Sequence, residues 1–454
     1  MTLAEIARVV GATLHDIRDP DALVTAPSVV DSREVVPGGL FAATVGERVD
    51  GHDYAAKAMA SGAVAVLASR PVGVPALVVE DVQQALGLLA GEVLRRLDPT
   101  VIALTGSVGK TTTKDLLAQV LERHAPTIAT DKSFNNELGL PLTVLRADAT
   151  TRYLVLEMGA GRKGDLTYLT GIAPPRVGLV LNVGNAHVST MGGGLADVAA
   201  AKGELVEALP TDGFALLNAD DPNVLGMAGR TRAQITLYGR SAAAQVRAEN
   251  VRVDDRARAS FELVTPTGRA RVELGLIGEH QVANALAAAA VAVTLGLSVG
   301  VVAEGLTLAR RRSAGRLEIL ERGDGVTIVN DAYNANPESM RAGLHTLRTL
   351  GGDRRTVAVL GWMGLQAEAS RDRHVQIGRL VAELGIDVLI TVGSGDPEAM
   401  ALAAAELGVA VHTAEDVSGV VGLAAGLLEP GDVVLVKGSS VLGLSACARE
   451  LAAR

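Results

Sequence analysis

The stretch Leu104-Thr-Gly-Ser-Val-Gly-Lys-Thr-Thr-Thr113 constrains this chain more than any other part of it. It grows out of an apolar run, 101–105, that is too short for a buried helix and reads as a buried strand. Beyond the glycines, Leu116, Leu117, Val120 and Leu121 recur at helical spacing and predict a helix over 110–123. Strand, glycine turn and helix together form the geometry in which backbone N–H groups and a helix N-terminus close round a phosphate. Gly106 and Gly109 permit the turn. Lys110 is placed for the β- and γ-phosphates of a nucleotide, and the Thr111 hydroxyl for Mg²⁺. The loop departs from the general G-x-x-x-x-G-K-[ST] pattern at Leu104, where the first glycine should stand.

The rest of the chain repeats the alternation this loop requires. Buried strands at 153–156 and 177–183 are interleaved with helical stretches, which argues a parallel sheet. Residues 260–264 and 269–274 flank Pro266-Thr267-Gly268 as a hairpin. Strands at 326–329, 357–360, 388–392 and 433–436, with helices between them, predict a second, doubly wound unit whose ligands meet the carboxyl ends of strands. Before the loop lie a helix over 3–10, short strands and a Gly-rich stretch over 31–51, without a catalytic cluster. The basic run Arg310-Arg-Arg312 marks a linker or domain edge. The fold class is therefore α/β in three domains. These are a small N-terminal α/β domain (1–98), a central P-loop ATPase-like domain with a mainly parallel sheet (99–312), and a C-terminal Rossmann-like doubly wound domain (313–454). Hydrophobic residues make up 48% of the 454 but aromatics only 2%, so the cores must be built from Ala, Val and Leu. A net charge of -9 provides no basic footprint for nucleic acid, so a polyanionic ligand must be held by local groups. The lone Cys447 excludes an internal disulfide and a cysteine metal cluster. The absence of a membrane-length apolar run leads to the expectation of a cytoplasmic protein with no membrane insertion.

Several polar residues stand where chemistry would be done, each with a bland reading beside it. Glu157 closes a strand before Met158-Gly-Ala-Gly161, as a ligand for metal or substrate or as a solvated loop acid. Taken alone, His187 in Asn182-Val-Gly-Asn-Ala-His187 reads as structural, and Lys202 in Ala200-Ala-Lys-Gly-Glu204 as a solvated helix lysine. Asn284, in His280-Gln-Val-Ala-Asn284, passes for a polar helix residue. Asp331, Asn334 and Asn336 cluster at one strand end, for ligand binding or for turn and cap formation.

Taken together, these motifs resemble those of the Mur ligases. The T-G-S-x-G-K-T-T-T-K run resembles the ATP loop of that family and of folylpolyglutamate synthases. The resemblance implies that Thr105, Gly106, Ser107, Val108, Gly109, Lys110, Thr111 and Thr112 bind ATP. E-M-G-A and N-x-x-x-A-H resemble the Mur pattern in which Glu157 and His187 would hold Mg²⁺ with Thr111. The lysine matching Lys202 can be carbamoylated by CO₂ in relatives, which would add an oxygen-donor anion to the metal set and needs a lowered pKa. The H-x-x-x-N-A motif implies that Asn284 meets adenine, and Arg316 and Asp331 match residues used on phosphates and ribose. Asp31-Ser32-Arg33 with Gly46-x-x-x-Asp50-Gly-His-Asp53 looks like the UDP-binding domain that folylpolyglutamate synthases lack, and gives Ser32 and Arg33 as substrate residues. Asn135-Asn136-Glu-Leu-Gly-Leu-Pro141, the Asn330–Met340 stretch with Asn334 and Asn336, and Lys437-Gly-Ser439 resemble the D-alanyl-D-alanine-adding branch. The implied partners are UDP-N-acetylmuramoyl-tripeptide and D-alanyl-D-alanine, joined by a monomer with ATP and Mg²⁺ as cofactors through an acyl phosphate. Lys110, Glu157, His187 and Lys202 would be the catalytic set. Trp362 departs from the pattern, standing where the family usually has an acid. Two alternatives stay open: a Mur-like ligase joining another carboxylate and amine in natural-product assembly, and a P-loop ATPase without ligase activity.

Overall fold

The computed structural model describes residues 1–46, 49–131, 133–186, 188–364 and 369–454. Three sheets follow one another along the chain. The N-terminal sheet has five strands in the order Thr13–His15, Ala76–Val78, Ala65–Ala68, Leu40–Ala42, Ser28–Val29, antiparallel only in the first pair. Helix Leu3–Val10 begins at a capping box between Thr2 and Glu5 and buries Leu3, Ile6 and Val10 on this sheet. Helix Val82–Leu97, capped by Asp81, places Leu86 and Leu89 in the same core, which also takes in Leu142 of the central unit.

The central sheet runs Gly268–Ile277, Arg258–Thr265, Val246–Val253, Gln234–Gly239, Phe214–Asn218, Val177–Val180, Thr100–Thr105, Tyr153–Glu157, Thr127–Ala129. Its pairs are parallel except at the first two, where the expected hairpin closes with Thr265 opposite Gly268. Strand Val246–Val253 goes beyond what periodicity predicts. Its outward residues include Arg247 and Glu249, which pair along the strand at 2.7 Å, while Arg269 reaches Glu249 at 2.9 Å only across the folded sheet. The strand expected over 177–183 ends at Val180, because Asn182 leaves the ladder to bond the phosphate loop. Helices Lys110–Glu122, Gln281–Thr294 and Val299–Leu308 pack together over this sheet. The second of them is buried from Gln281 to Ala292 except at Ala283, which faces the cavity described below. Gly305 faces Val120 so closely that a β-carbon would stand 3.0 Å from the valine methyl. Small side chains are what permit these layers to approach, which accounts for a core so poor in aromatics.

The C-terminal sheet has the order Glu318–Glu321, Thr327–Asn330, Val433–Lys437, Thr356–Gly361, Val388–Val392, Ala410–Ala414, parallel apart from the first pair. Lys437, expected just past the last strand, is its final residue and only 2% exposed. Among the described residues no helix is long and apolar enough to cross a membrane.

Candidate active site

The helix after the glycine loop starts at Gly109, whose φ of 82° is left-handed and where a β-carbon would collide with the Asn284 carboxamide. No side chain caps this helix, so its first amides are left for a ligand. They border a cavity of about 320 Å³, closed from the other side by Arg316, Asp331, Tyr333 and Glu338 of the C-terminal domain. Asn182 braces the loop: its Oδ1 accepts from the Ser107 and Val108 N–H groups at 3.0 and 2.9 Å, and its Nδ2 donates to the Val108 carbonyl at 3.0 Å. Lys110 Nζ donates to the Gly106 carbonyl at 2.8 Å, so it is folded back over the loop. Burial lowers its pKa, against the pull of the Glu157 carboxylate.

Glu157 is the last residue of its strand and 1% exposed. Its Oε1 accepts from Asn135 Nδ2 at 2.7 Å, while Oε2 is buried without a partner among the described residues. Lys202, on helix Leu195–Glu207, is 2% exposed rather than a solvated helix lysine. Loss of hydration, and then repulsion from Lys110, push its pKa well below the usual value. Lys110 and Lys202 border a second cavity of about 880 Å³, lined also by Asn135, Asn136, Arg162 and Asp81. A buried carboxylate oxygen with no partner among the described residues, beside a buried lysine whose amine is disfavoured from taking a charge, fits a divalent cation site. His187 lies outside the described residues.

The other expected residues divide between the cavity and purely local roles. Thr111 Oγ1 accepts from Arg316 Nη2 at 3.3 Å, and the Arg316 guanidinium lies 4.2 Å from the Tyr333 ring centroid. Asn284 Nδ2 donates to Gln281 at 2.8 Å beside the loop, and Thr112 lines the cavity. Asp331 and Lys437, expected to serve different ligands, form a buried ion pair at 2.6 Å at the cavity edge. Asn336 lines the cavity and also caps helix Pro337–Gly351 through the Ser339 N–H at 2.8 Å. Asn334 lines it too, with its Oδ1 on the Ala335 N–H at 2.8 Å. Asn136 accepts from the Gly139 N–H at 2.9 Å. Thr105 is buried below the loop. Ser32 is buried and Arg33 is exposed, forked onto Asp31 at 2.6 Å, in the N-terminal domain and outside both cavities. The Ser439 N–H donates to the Trp362 carbonyl at 3.0 Å, and the half-exposed indole stands over Gly364. Sequence reasoning did not single out Asn182, Tyr333 or Glu338. Asn182 opens the quoted N-x-x-x-A-H run, and that position was the only signal for it.

Residues 104–292 match the Mur ligase middle domain, 315–440 the Mur ligase glutamate ligase domain, and 29–93 the Mur ligase family catalytic domain. A protein of Mycobacterium tuberculosis named UDP-N-acetylmuramoyl-tripeptide--D-alanyl-D-alanine ligase is 44% identical, covering 100% of this chain and 98% of its own. The chain belongs to the Mur ligase family. A second Mur ligase of that name, from Escherichia coli, is 35% identical over 99% of this chain and 98% of its own. Among solved Mur ligases, MurF from Acinetobacter baumannii superposes with a TM-score of 0.87 at 31% identity, covering 100% of this chain and 99% of its own. MurF from Thermotoga maritima in complex with ADP gives 0.80 at 29% identity, covering 94% and 97%.

Proposed function

We propose that this chain uses ATP to join D-alanyl-D-alanine to UDP-N-acetylmuramoyl-tripeptide, a step in peptidoglycan precursor synthesis. The observation that carries the reading is full-length identity of 44% to an enzyme of that name. The site adds chemistry of the right kind, with a phosphate loop, a buried acid and a desolvated lysine gathered between two cavities. The domains are taken as 1–98 for the UDP-bearing substrate, 99–312 for ATP, and 313–454 for the incoming amine.

A carboxylate is a poor acyl donor, so it must first acquire a leaving group. The terminal carboxylate oxygen of the tripeptide bonds the γ-phosphorus, the bond to the β-phosphate oxygen breaks, and ADP leaves. The dipeptide amine then bonds the acyl carbon, the C–O bond to phosphate breaks, and the amine's extra proton passes to solvent. Two anions must approach in the first step. Lys110 lies where it can leave the Gly106 carbonyl and stand between them, and Arg316 approaches from the C-terminal domain. Glu157, Thr111, His187 and a carbamoylated Lys202 would hold Mg²⁺, which when bound supplies further charge neutralisation. Asn135 fixes the rotamer of Glu157. Closure of the C-terminal domain excludes water that would hydrolyse the acyl phosphate.

Mass spectrometry of products from ATP, UDP-N-acetylmuramoyl-tripeptide and D-alanyl-D-alanine tests the reading. The expected result is the UDP-muramoyl-pentapeptide with one ADP and one phosphate. ADP formed at the same rate without the dipeptide, and no pentapeptide, would overturn it.

A further inference from the structure

The segment that braces the phosphate loop is itself held by the C-terminal domain. Two residues beyond Asn182, the Gly184 N–H donates to the Ser107 hydroxyl at 2.8 Å, and that hydroxyl donates to the Gly184 carbonyl at 3.1 Å. Ser107 belongs to the loop and lines the nucleotide cavity. The next residue, Asn185, is gripped by two helices of the other domain. From helix Pro337–Gly351, Glu338 Oε1 accepts from the Asn185 backbone N–H at 3.0 Å and from Asn185 Nδ2 at 2.7 Å. From helix Ser370–Glu383, Arg373 Nη2 donates to Asn185 Oδ1 at 2.7 Å. The fit is close, since a β-carbon on Gly184 would stand 2.9 Å from the Glu338 carboxyl carbon.

The partners of Asn185 lie 153 and 188 residues further along the chain, so these bonds exist only while the C-terminal domain is docked on the central one. We propose that Glu338 and Arg373 are positioning residues, which fix the phosphate loop through Asn185, Gly184 and Ser107 when the C-terminal domain docks. Docking then acts on the loop at two places. It brings Arg316 to Thr111 at the start of the loop's helix, and it holds Ser107 in the turn itself. Undocked, Asn185 loses all three bonds and the Ser107 contact rests on the central domain alone. Phosphoryl transfer is thereby tied to the docked state, in which the acyl phosphate is shielded from water. This inference rests on the ligase reading, and it adds the residues that couple domain docking to the loop.

Pentapeptide formation, ADP calorimetry and thermal melting of full-chain variants test the coupling. Glu338→Ala is expected to lower kcat about ten- to a hundred-fold, the effect of losing a charge-assisted hydrogen bond. The Kd of ADP should change less, because the loop's own amides hold phosphate without the other domain. Glu338→Gln should recover most of the lost kcat, since an amide oxygen still accepts from both Asn185 donors. The rival role is a direct contact to a ligand through Glu338 Oε2, which has no partner among the described residues. That role needs the charge, so a Gln variant as poor as the Ala variant overturns the proposal. Asn185→Ala combined with Glu338→Ala should be no slower than Asn185→Ala alone, whereas losses that add would show that Glu338 acts elsewhere. A lower melting temperature with undiminished kcat leaves only a structural role and also overturns it. If Glu338→Ala does not fold, Arg373→Ala takes its place in the same cycle with the same expectations. A wild-type chain that makes no pentapeptide overturns the ligase reading itself, which is a distinct failure.

Discussion

Lys110 is the one lysine inside the glycine loop, and its ammonium already sits on the Gly106 carbonyl. Lys110→Ala is expected to cut kcat by at least about 10²–10³-fold, the usual effect of one preorganised electrostatic group, with an unchanged far-ultraviolet spectrum. Glu157→Ala removes the carboxylate with the open oxygen. Its expected mark is a higher Mg²⁺ requirement, read from a Mg²⁺ titration at saturating nucleotide, and a kcat that falls more than the KM for ATP rises, read from an ATP titration at saturating Mg²⁺. Lys202 gives a prediction in pH. Its folded pKa lies well below the usual 10.5, so between those values the unfolded chain binds a proton that the folded chain does not. Stability therefore falls as pH is lowered from 10.5 through that window, and rises in the opposite direction. Lys202→Met should melt above the wild type at neutral pH in CO₂-free buffer, with the difference vanishing near pH 10.5. The loop residues were legible because strand, turn, lysine and threonine adjoin in the chain. Lys202 was not, because solvated and buried helix lysines have the same local sequence, and only the packing of helix Leu195–Glu207 separates them. Glu338 was hidden for a similar reason: it looks like a first-turn helix acid, and its partner Asn185 lies 153 residues away.

At the scale of elements, helix Pro337–Gly351 carries both a cap and a ligand wall. Asn336 caps it through the Ser339 N–H, and the site reading also gives this asparagine a substrate. Asn336→Ala should cost about 1 kcal/mol in urea unfolding, the usual worth of such a cap. Asn336→Ser keeps the cap, so a loss of activity there without a loss of stability would separate the two roles. Strands buried on both faces were readable as apolar runs, for instance Val388–Val392, which the structure places over those same residues. The strand Val246–Val253 was not, because a strand with one charged face carries a weaker signal, and Glu249 meets Arg269 only after the sheet forms.

At the scale of the molecule, the central and C-terminal domains meet along a polar seam. Ser313 Oγ donates to Asp115 at 2.7 Å, Asn185 Nδ2 donates to Glu338 at 2.7 Å, and Arg316 reaches Thr111. The nucleotide cavity is walled by both domains, whereas none of its lining comes from the N-terminal sheet. ADP at a hundred times its Kd should stabilise the folded chain by about 2.7 kcal/mol. In differential scanning calorimetry the central and C-terminal transitions are expected to rise together, and that of the N-terminal domain to stay. A nucleotide shift confined to one transition would show that the two walls do not close on the ligand as a unit.

Helix Gln281–Thr294, buried along most of its length by a run of alanines, bears on how this enzyme could escape a drug. Apart from the exposed Ala283, a compound docked against its first turn would press on a wall where a larger side chain adds volume to a filled core, and overpacking of that kind typically costs about 1–3 kcal/mol. The opposite wall belongs to helix Pro337–Gly351, which has an exposed face and sits in a domain joined through side chains. Resistance should therefore arise at Ala283 and on that opposite side, at positions such as Ala342, and compounds that draw their affinity from the buried positions of the alanine helix should select it least.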